Sequence, residues 1–152
     1  MTLKKLYKPL VLSFLLALID NYIKYLVRLN NIQETVIIEN ILTIDLTYNT
    51  GIAFGLLSDK TNITYVLSLI VLIWLLTQFN NVEKNSLEFY SLILIFGGAI
   101  GNLGERGYNL VILNDGKVTD FIELLFIPSF NFADSYITIG ICLLILSELK
   151  NK

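Results

Sequence analysis

The residues best suited to chemistry in this sequence are two aspartates in apolar surroundings. Asp120 lies in the segment VTDFIEL, and Asp134 lies further along the chain in FNFADSY. When two carboxyl groups lie close together, only one of them ionises readily, and the pair shares one proton. One can then act as general base on water while the other acts as general acid toward a carbonyl oxygen. The pattern suggests an aspartate dyad for peptide hydrolysis, although Asp134 also fits an ordinary helix cap.

The composition excludes several other catalytic classes. The chain has 152 residues, no histidine and one cysteine. A Ser-His-Asp or Cys-His hydrolase and a His-ligated zinc site all need histidine, and an internal disulfide needs a second cysteine. The net charge of −2 at pH 7 argues against a nucleic-acid partner, which usually requires a basic patch. An aspartate dyad needs no metal and no organic cofactor, so we expect neither.

Further polar residues lie where apolar segments end. Asp20 and Lys24 are four apart and so share a helix face, either as a neutralising ion pair or as a site in which Asp20 orients Lys24. The segment YNTGIAFG is either a turn anchored in the membrane interface or a loop that touches a membrane-borne substrate. Its candidate site residues are Asn49, Gly51, Ala53 and Phe54.

A glycine-rich block, GGAIGNLGERGY, ends a third apolar segment. Its glycines have the spacing that lets helices pack closely. Asn102, Glu105 and Arg106 are harder to explain by packing. Glu105 and Arg106 form either an interfacial charge pair or a device that sets the electrostatics of a nearby carboxylate.

Four apolar segments must position these residues. The chain is 55% hydrophobic and only 16% charged, and a membrane-spanning helix needs about 20 mostly apolar residues. A soluble bundle is disfavoured because the second segment has no charged face. We expect a single membrane domain over residues 1–152, mainly α-helical. Its four transmembrane helices are predicted at about 6–29, 63–79, 87–103 and 133–149.

The two longer connections, about 30–62 and 104–132, are predicted to lie outside the cytoplasm. Four spans put both termini on one side, and the basic start with Lys4, Lys5 and Lys8 favours the cytoplasm for them. Alternating apolar and polar residues over 42–49 predict a strand that pairs with the preceding β-branched TVIIEN. We therefore expect a small extracytoplasmic β-sheet between helices 1 and 2.

Taken together, the motifs resemble lipoprotein signal peptidase (signal peptidase II), a family of bacterial membrane aspartic peptidases, over nearly the whole chain. Four blocks match in order: the D-x-x-x-K element; the N-x-G-x-A-F loop; the GGAxGN element continuing to Arg106; and the V-x-D-F element with F-N-x-A-D-S. No single block is decisive, but all four at plausible spacing are highly specific.

The resemblance implies that Asp120 and Asp134 are the catalytic pair. It implies that a larger set lines or braces the site, namely Asp20, Lys24, Asn49, Gly51, Ala53, Phe54, Asn102, Arg106, Asn131 and Ala133. The implied substrates are prolipoproteins cleaved just before a diacylglyceryl-modified cysteine. It also implies a multi-pass protein of the bacterial plasma membrane, with its active site at the extracytoplasmic face. Its expected contacts are membrane lipids and globomycin-type inhibitors, and we expect a monomer.

The sequence departs from the family pattern at several places. Glu105 replaces the usual Asp, Gly104 replaces a usual apolar residue, and Asn21 stands where Gln is frequent. Residues 107–117 suggest a longer loop over the site, with turn chemistry at Asn114-Asp115-Gly116.

Three functions remain open as alternatives from the residues themselves. A Ser/Lys peptidase would pair Ser58, Ser129 or Ser135 with Lys24, Lys60 or Lys117. A proton carrier would use the membrane carboxylates, but the charged residues stop at one boundary. A structural membrane adaptor would tolerate the loss of both aspartates.

Overall fold

The chain folds into four long helices and one antiparallel sheet in the computed structural model, which describes residues 3–51 and 59–150. In chain order the elements are α1 (Leu3–Leu29), β1 (Thr35–Ile38), β2 (Leu42–Asn49), α2 (Thr61–Gln78), α3 (Leu87–Ile112), β3 (Val118–Leu124), β4 (Ile127–Phe130) and α4 (Phe132–Lys150). All four helices are long and apolar enough to cross a membrane, which confirms the four predicted spans. The sheet lies at one end of the bundle, called here the sheet end.

The helices expose apolar side chains on the outside of the bundle and bury polar ones inside it. In α2, Ile70 and Trp74 are more than half exposed. Asp20, Lys24 and Ser91 are completely buried. A soluble helix buries its apolar stripe and exposes its polar face, so this distribution fits helices surrounded by lipid.

Helix α3 is the centre of the bundle, because it packs against α1, α2 and α4. Glycines make the close approach possible. A Cβ atom on Gly98 would lie 2.3 Å from the carbonyl oxygen of Ala133 in α4, and one on Gly101 would lie 2.9 Å from the Asp20 carboxylate in α1. The predicted role of these glycines in helix packing is thus confirmed.

The apolar run predicts an end of the third helix near residue 103, but α3 continues to Ile112. The reason is that its last turns are covered by protein. Glu105, Arg106 and Asn109 are all buried, and each finds polar partners in the adjoining segments. Polar residues that suggested the end of a span therefore remain helical, and the expected long loop shortens to the turn before β3.

The sheet contains four strands in the order β1-β2-β3-β4. The predicted pairing of β1 with β2 is confirmed, whereas β3 and β4 were not predicted. Strand β2 is central, so its second edge needs backbone partners, and β3 supplies them. The register places Thr47 opposite Asp120 and Asn49 opposite Val118. The segment between α1 and α2 is thereby paired with the strand that carries Asp120.

The helix packing makes a prediction about two glycines of the same helix. Gly98→Ala should lower the free energy of unfolding by about 1–3 kcal/mol, because the added methyl group meets α4 backbone. Gly104→Ala is the matched control: its Cβ would meet nothing within 4 Å, so it should be neutral or slightly stabilising. Thermal unfolding in detergent compares the two, and equal melting temperatures would contradict the packing argument.

Candidate active site

Asp120 lies on β3 and is almost completely buried. Asn131 donates from its side-chain amide to one carboxylate oxygen at 2.7 Å, and Asn49 donates to the other at 3.0 Å. Burial raises the pKa of the Asp120 carboxyl, and the neighbouring Asp134 carboxylate raises it further, to about 7, while the two amide hydrogen bonds oppose the shift. Asp120 is therefore a carboxyl group that takes up a proton near neutral pH.

Asp134 lies in the first turn of α4, and its two carboxylate oxygens have different hydrogen-bond partners. One carboxylate oxygen accepts the Asn131 backbone N–H at 3.2 Å, while the Asn131 side chain accepts the Asp134 N–H at 3.0 Å. This reciprocal pair has the form of a capping box. The other oxygen accepts from the Asn102 amide at 2.8 Å. Asp134 is thus a helix cap that also presents an oxygen to the buried polar cluster.

Two asparagines connect the aspartates. The Asn131 amide that donates to Asp120 also lies 3.1 Å from the Asn102 side-chain oxygen. That oxygen accepts from Lys24 Nζ at 2.7 Å. Because a lysine ammonium only donates, Lys24 fixes which end of the Asn102 amide faces it. The Asn102 NH₂ group is consequently directed at Asp134.

Lys24 is a fully buried cation held by α1 and α3. Its Nζ lies 2.8 Å from Asp20 and 3.2 Å from Glu105. The other Asp20 oxygen accepts the Ala133 N–H at 2.9 Å, so the pair also anchors the start of α4. The two interpretations of Asp20 and Lys24 are thus compatible, since the ion pair lies within the site. An ammonium held by two ion pairs and a hydrogen bond to Asn102 is poorly placed to serve as the base of a serine nucleophile.

Glu105 and Arg106 do not pair with each other, because adjacent residues on a helix do not face each other. The Arg106 guanidinium donates to the carbonyl oxygens of Gly51 at 2.6 Å, Gly116 at 2.8 Å and Thr50 at 3.3 Å. It thereby holds the chain after β2 against the turn before β3. The interfacial charge pair considered for these two residues is not formed.

Glu105 turns instead toward β3 and α1. Its carboxylate accepts from the Thr119 N–H at 3.1 Å and from the Thr119 hydroxyl at 2.7 Å, and it pairs with Arg28. Sequence reasoning did not assign Arg28 or Thr119 to the site. Arg28 is four residues after Lys24, so the two side chains share a helix face. This spacing is the pattern in the sequence that could have indicated a place for Arg28 in the site.

The described site residues otherwise converge at the sheet end. Asn49 bonds to Asp120, and its side-chain oxygen accepts the Gly51 N–H at 2.9 Å. Ala133 contributes its backbone N–H and a completely buried side chain. Ala53 and Phe54 lie outside the described residues.

The carboxylate oxygens of the two aspartates Asp120 and Asp134 are matched to protein donors. Both Asp120 oxygens and both Asp134 oxygens accept hydrogen bonds from the chain itself. Within residues 3–51 and 59–150, no group of three or more acidic or cysteine side chains is arranged to hold a metal ion.

The fold and the site together define a multi-pass membrane protein with a buried carboxylate site at one end of its helix bundle. The family model of signal peptidase (SPase) II matches residues 12–150. The chain therefore belongs to the signal peptidase II family, the lipoprotein signal peptidases.

Individual relatives agree with this family. The chain is 36% identical over 138 residues to a lipoprotein signal peptidase of Caldanaerobacter subterraneus, covering 89% of this chain and 91% of the relative. It is 35% identical to one from Francisella tularensis subsp. novicida, covering 95% and 93%. A bacterial membrane enzyme solved by the in meso method at 2.3 Å resolution superposes with a TM-score of 0.79 at 29% identity, covering 95% of this chain and 88% of that one.

Membership in the family makes the protein a protease of the membrane that removes signal peptides from lipoproteins. Its substrates are accordingly prolipoproteins. The resemblance drawn from the four motifs is confirmed.

The buried ion pair predicts a specific pattern of stability. Lys24→Met leaves Asp20 without its ion-pair partner, whereas Glu105 keeps Arg28, and it should cost about 3–5 kcal/mol of unfolding free energy. Asp20→Asn combined with Lys24→Met should lose less, because the stranded charge of Asp20 is removed as well. Denaturant titration in detergent measures both variants.

A surface ion pair supplies the control for this comparison. Lys117 lies 3.2 Å from Asp115, and both side chains are partly exposed. Lys117→Met should therefore cost no more than about 1 kcal/mol. A Lys24→Met protein as stable as Lys117→Met would refute the buried-charge argument.

Proposed function

We propose that Asp120 and Asp134 form a catalytic dyad that hydrolyses the prolipoprotein peptide bond just before the diacylglyceryl-modified cysteine. The observation that carries the proposal is the convergence of both carboxyl groups on Asn131, one on its side-chain amide and one on its backbone N–H. Two aspartates held by a common residue in a buried, polar site support general acid–base catalysis, which needs a proton donor and a proton acceptor at one place.

The charge balance of the cluster supports a single shared proton. Its carboxyl groups are Asp20, Glu105, Asp120 and Asp134, and its cations are Lys24, Arg28 and Arg106. Four carboxyl groups against three cations leave one excess negative charge, 4 − 3 = 1. An uncompensated buried charge is costly, so one proton on the dyad makes the cluster neutral.

The division of labour follows from the surroundings of the two aspartates. Asp120 has the raised pKa and serves as the general acid, while ionised Asp134 serves as the general base. Asp134 removes a proton from water as the water oxygen attacks the scissile carbonyl carbon, and Asp120 protonates the carbonyl oxygen. The tetrahedral intermediate, which carries two hydroxyl groups, then collapses. The C–N bond breaks as the amine takes the proton that Asp134 had accepted, and Asp120 regains a proton from one hydroxyl group as the carbonyl re-forms in the carboxylic acid product.

The neighbouring residues hold these groups in their reacting orientation. Asn102 donates to Asp134, Asn131 donates to Asp120, and Lys24 orients Asn102. Asn49 and the backbone at Gly51, which is held by Arg106, form the wall of the site on the side of the sheet. In this proposal the peptide lies against that wall, and the diacylglyceryl chains stay in the lipid around the helices.

The proposed orientation places both termini in the cytoplasm and the sheet end outside it, in the plasma membrane of a bacterium. The basic residues near the N-terminus favour this topology, and an even number of spans puts the C-terminus on the same side. We further propose that the enzyme acts as a monomer and binds globomycin-type inhibitors at the dyad.

The contacts of the described residues disfavour the alternatives. Ser135 donates to the Asn131 carbonyl at 3.2 Å and Ser129 donates to Glu123 at 3.0 Å, so both hydroxyl groups are engaged by other oxygen atoms. The third candidate, Ser58, lies outside the described residues. Along the described parts of α1–α4, no Asp, Glu, Lys or Arg lies between the cluster and the helix ends opposite the sheet. A proton relay across the bundle would need such groups.

The dyad makes a direct prediction about cleavage. Asp120→Asn and Asp134→Asn should each reduce the turnover of a lipidated precursor by about 100- to 10,000-fold or more, because each removes one proton-transfer partner. A gel-shift assay on purified, detergent-solubilised enzyme measures the turnover.

Two control variants should both keep a turnover near that of the wild type. They are Asp115→Asn, at a partly exposed carboxylate paired with Lys117, and Ser135→Ala. Normal turnover by either dyad variant would exclude this mechanism, and an inactive Ser135→Ala would favour a serine nucleophile.

The pH dependence tests which aspartate is the acid. The pKa of Asp120 is raised to about 7, so its acid form is present below that value and is lost as the pH rises through it. The alkaline limb of the kcat/KM profile should therefore have an apparent pKa near 7. A profile that rises through neutral pH and stays high would assign Asp120 the role of base.

A further inference from the structure

Arg28, in the last turn of α1, reaches from the edge of the bundle into the buried cluster. Its Nη1 contacts the Glu105 carboxylate and lies 3.0 Å from the Thr119 hydroxyl oxygen. The arginine side chain is about one-third exposed, whereas the Glu105 side chain is 2% exposed. Arg28 touches neither Asp120 nor Asp134 among these contacts, so any effect on the dyad must pass through another residue.

Glu105 and Thr119 provide that connection. One Glu105 oxygen accepts from Arg28 and from the Thr119 hydroxyl, and the other accepts from the Thr119 N–H and faces Lys24. The Thr119 carbonyl oxygen in turn accepts from Asn131 at 3.2 Å. The N–H, carbonyl and hydroxyl of Thr119 are thus all engaged in a completely buried position. This holds the backbone directly before Asp120.

Arg28 also contributes to the charge of the cluster. It is one of three cations that face four carboxyl groups, the others being Lys24 and Arg106. With Arg28 removed, 4 − 2 = 2 excess negative charges remain. The dyad would then favour two protons over one, because a second proton restores neutrality.

We propose that Arg28 is a positioning residue for the reaction, which holds Asp120 through Glu105 and Thr119 and supplies the cation that leaves the dyad only one proton. This inference rests on the proposed dyad. The route depends on Glu105, whose carboxylate contacts both Arg28 and Thr119.

A purely structural role for Arg28 makes different predictions. A cation in the last turn of a helix is favourable by itself, and its loss would lower the melting temperature without moving the pH optimum. The charged groups that face Asp120 directly come from α4 (Asp134), α1 (Lys24) and α3 (Arg106). None of them is changed by a substitution at Arg28, so a shift of the optimum reports the charge that Arg28 itself contributes.

The test compares Arg28→Met, which removes the charge, with Arg28→Lys, which keeps it. Arg28→Met should lower kcat by roughly tenfold and leave KM unchanged, because the missing contact orients the dyad and does not bind substrate. Its pH optimum of kcat/KM should move upward by roughly half a unit. Arg28→Lys should keep the wild-type optimum and recover most of kcat. Lys117→Met removes a cation of the same end of the protein and should change neither quantity.

Glu105→Asp measures whether the two residues act together. The shorter side chain withdraws the carboxylate from Arg28, so the double variant with Arg28→Met should be no worse than the poorer single variant. Additive losses would contradict a route through Glu105, and an Arg28→Met enzyme with a lower melting temperature but unchanged kcat and pH optimum would overturn the proposal. Asp120→Asn assayed in parallel separates the cases: an active Asp120→Asn enzyme refutes the dyad itself, whereas an inactive one with an unaffected Arg28→Met enzyme refutes only this inference.

Discussion

The structure depends on neutralising a set of charges that lie inside a helix bundle. Lys24 and Asp20 have no exposed side-chain surface and lie 2.8 Å apart. Inside a protein of low dielectric constant an isolated charge is very costly, and the cost falls only when opposite charges and hydrogen bonds surround it. Lys24 therefore requires Asp20, Glu105 and Asn102 together. These residues come from α1 and α3, so the two helices must meet in one arrangement before the site can form.

The remaining polar atoms of this cluster need hydrogen-bond partners, and these partners fix the positions of the other elements. Asp20 accepts the Ala133 N–H and so receives the start of α4, which carries Asp134. Glu105 binds Thr119 and so receives β3, which carries Asp120. Two aspartates on different elements are thereby directed to one place by residues that do not themselves need to react. Stability and the geometry of the site share the same contacts, which explains why the buried charged residues are concentrated at the sheet end.

Much of this arrangement could be predicted from local sequence patterns. Apolar runs of sufficient length marked all four spans, and period-two alternation marked β2. The glycines beside Phe96 had the spacing of closely packed helices, and Gly98 does approach the α4 backbone. The end of α3 could not be predicted in the same way. Glu105, Arg106 and Asn109 have the composition of a loop, yet partners from distant segments bury them within the helix.

The sequence by itself determined the spans, the first strand pair and the residue types available for chemistry, because hydrophobic length and periodicity are local properties. Only the tertiary structure decided the partners. Glu105 bonds to Thr119 and Arg28 rather than to the adjacent Arg106, since successive helical residues point in different directions. Asn49 meets Asp120 through the register of β2 with β3. Such contacts join residues far apart in the chain, and they follow from the joint requirement to pair strands and neutralise buried charge.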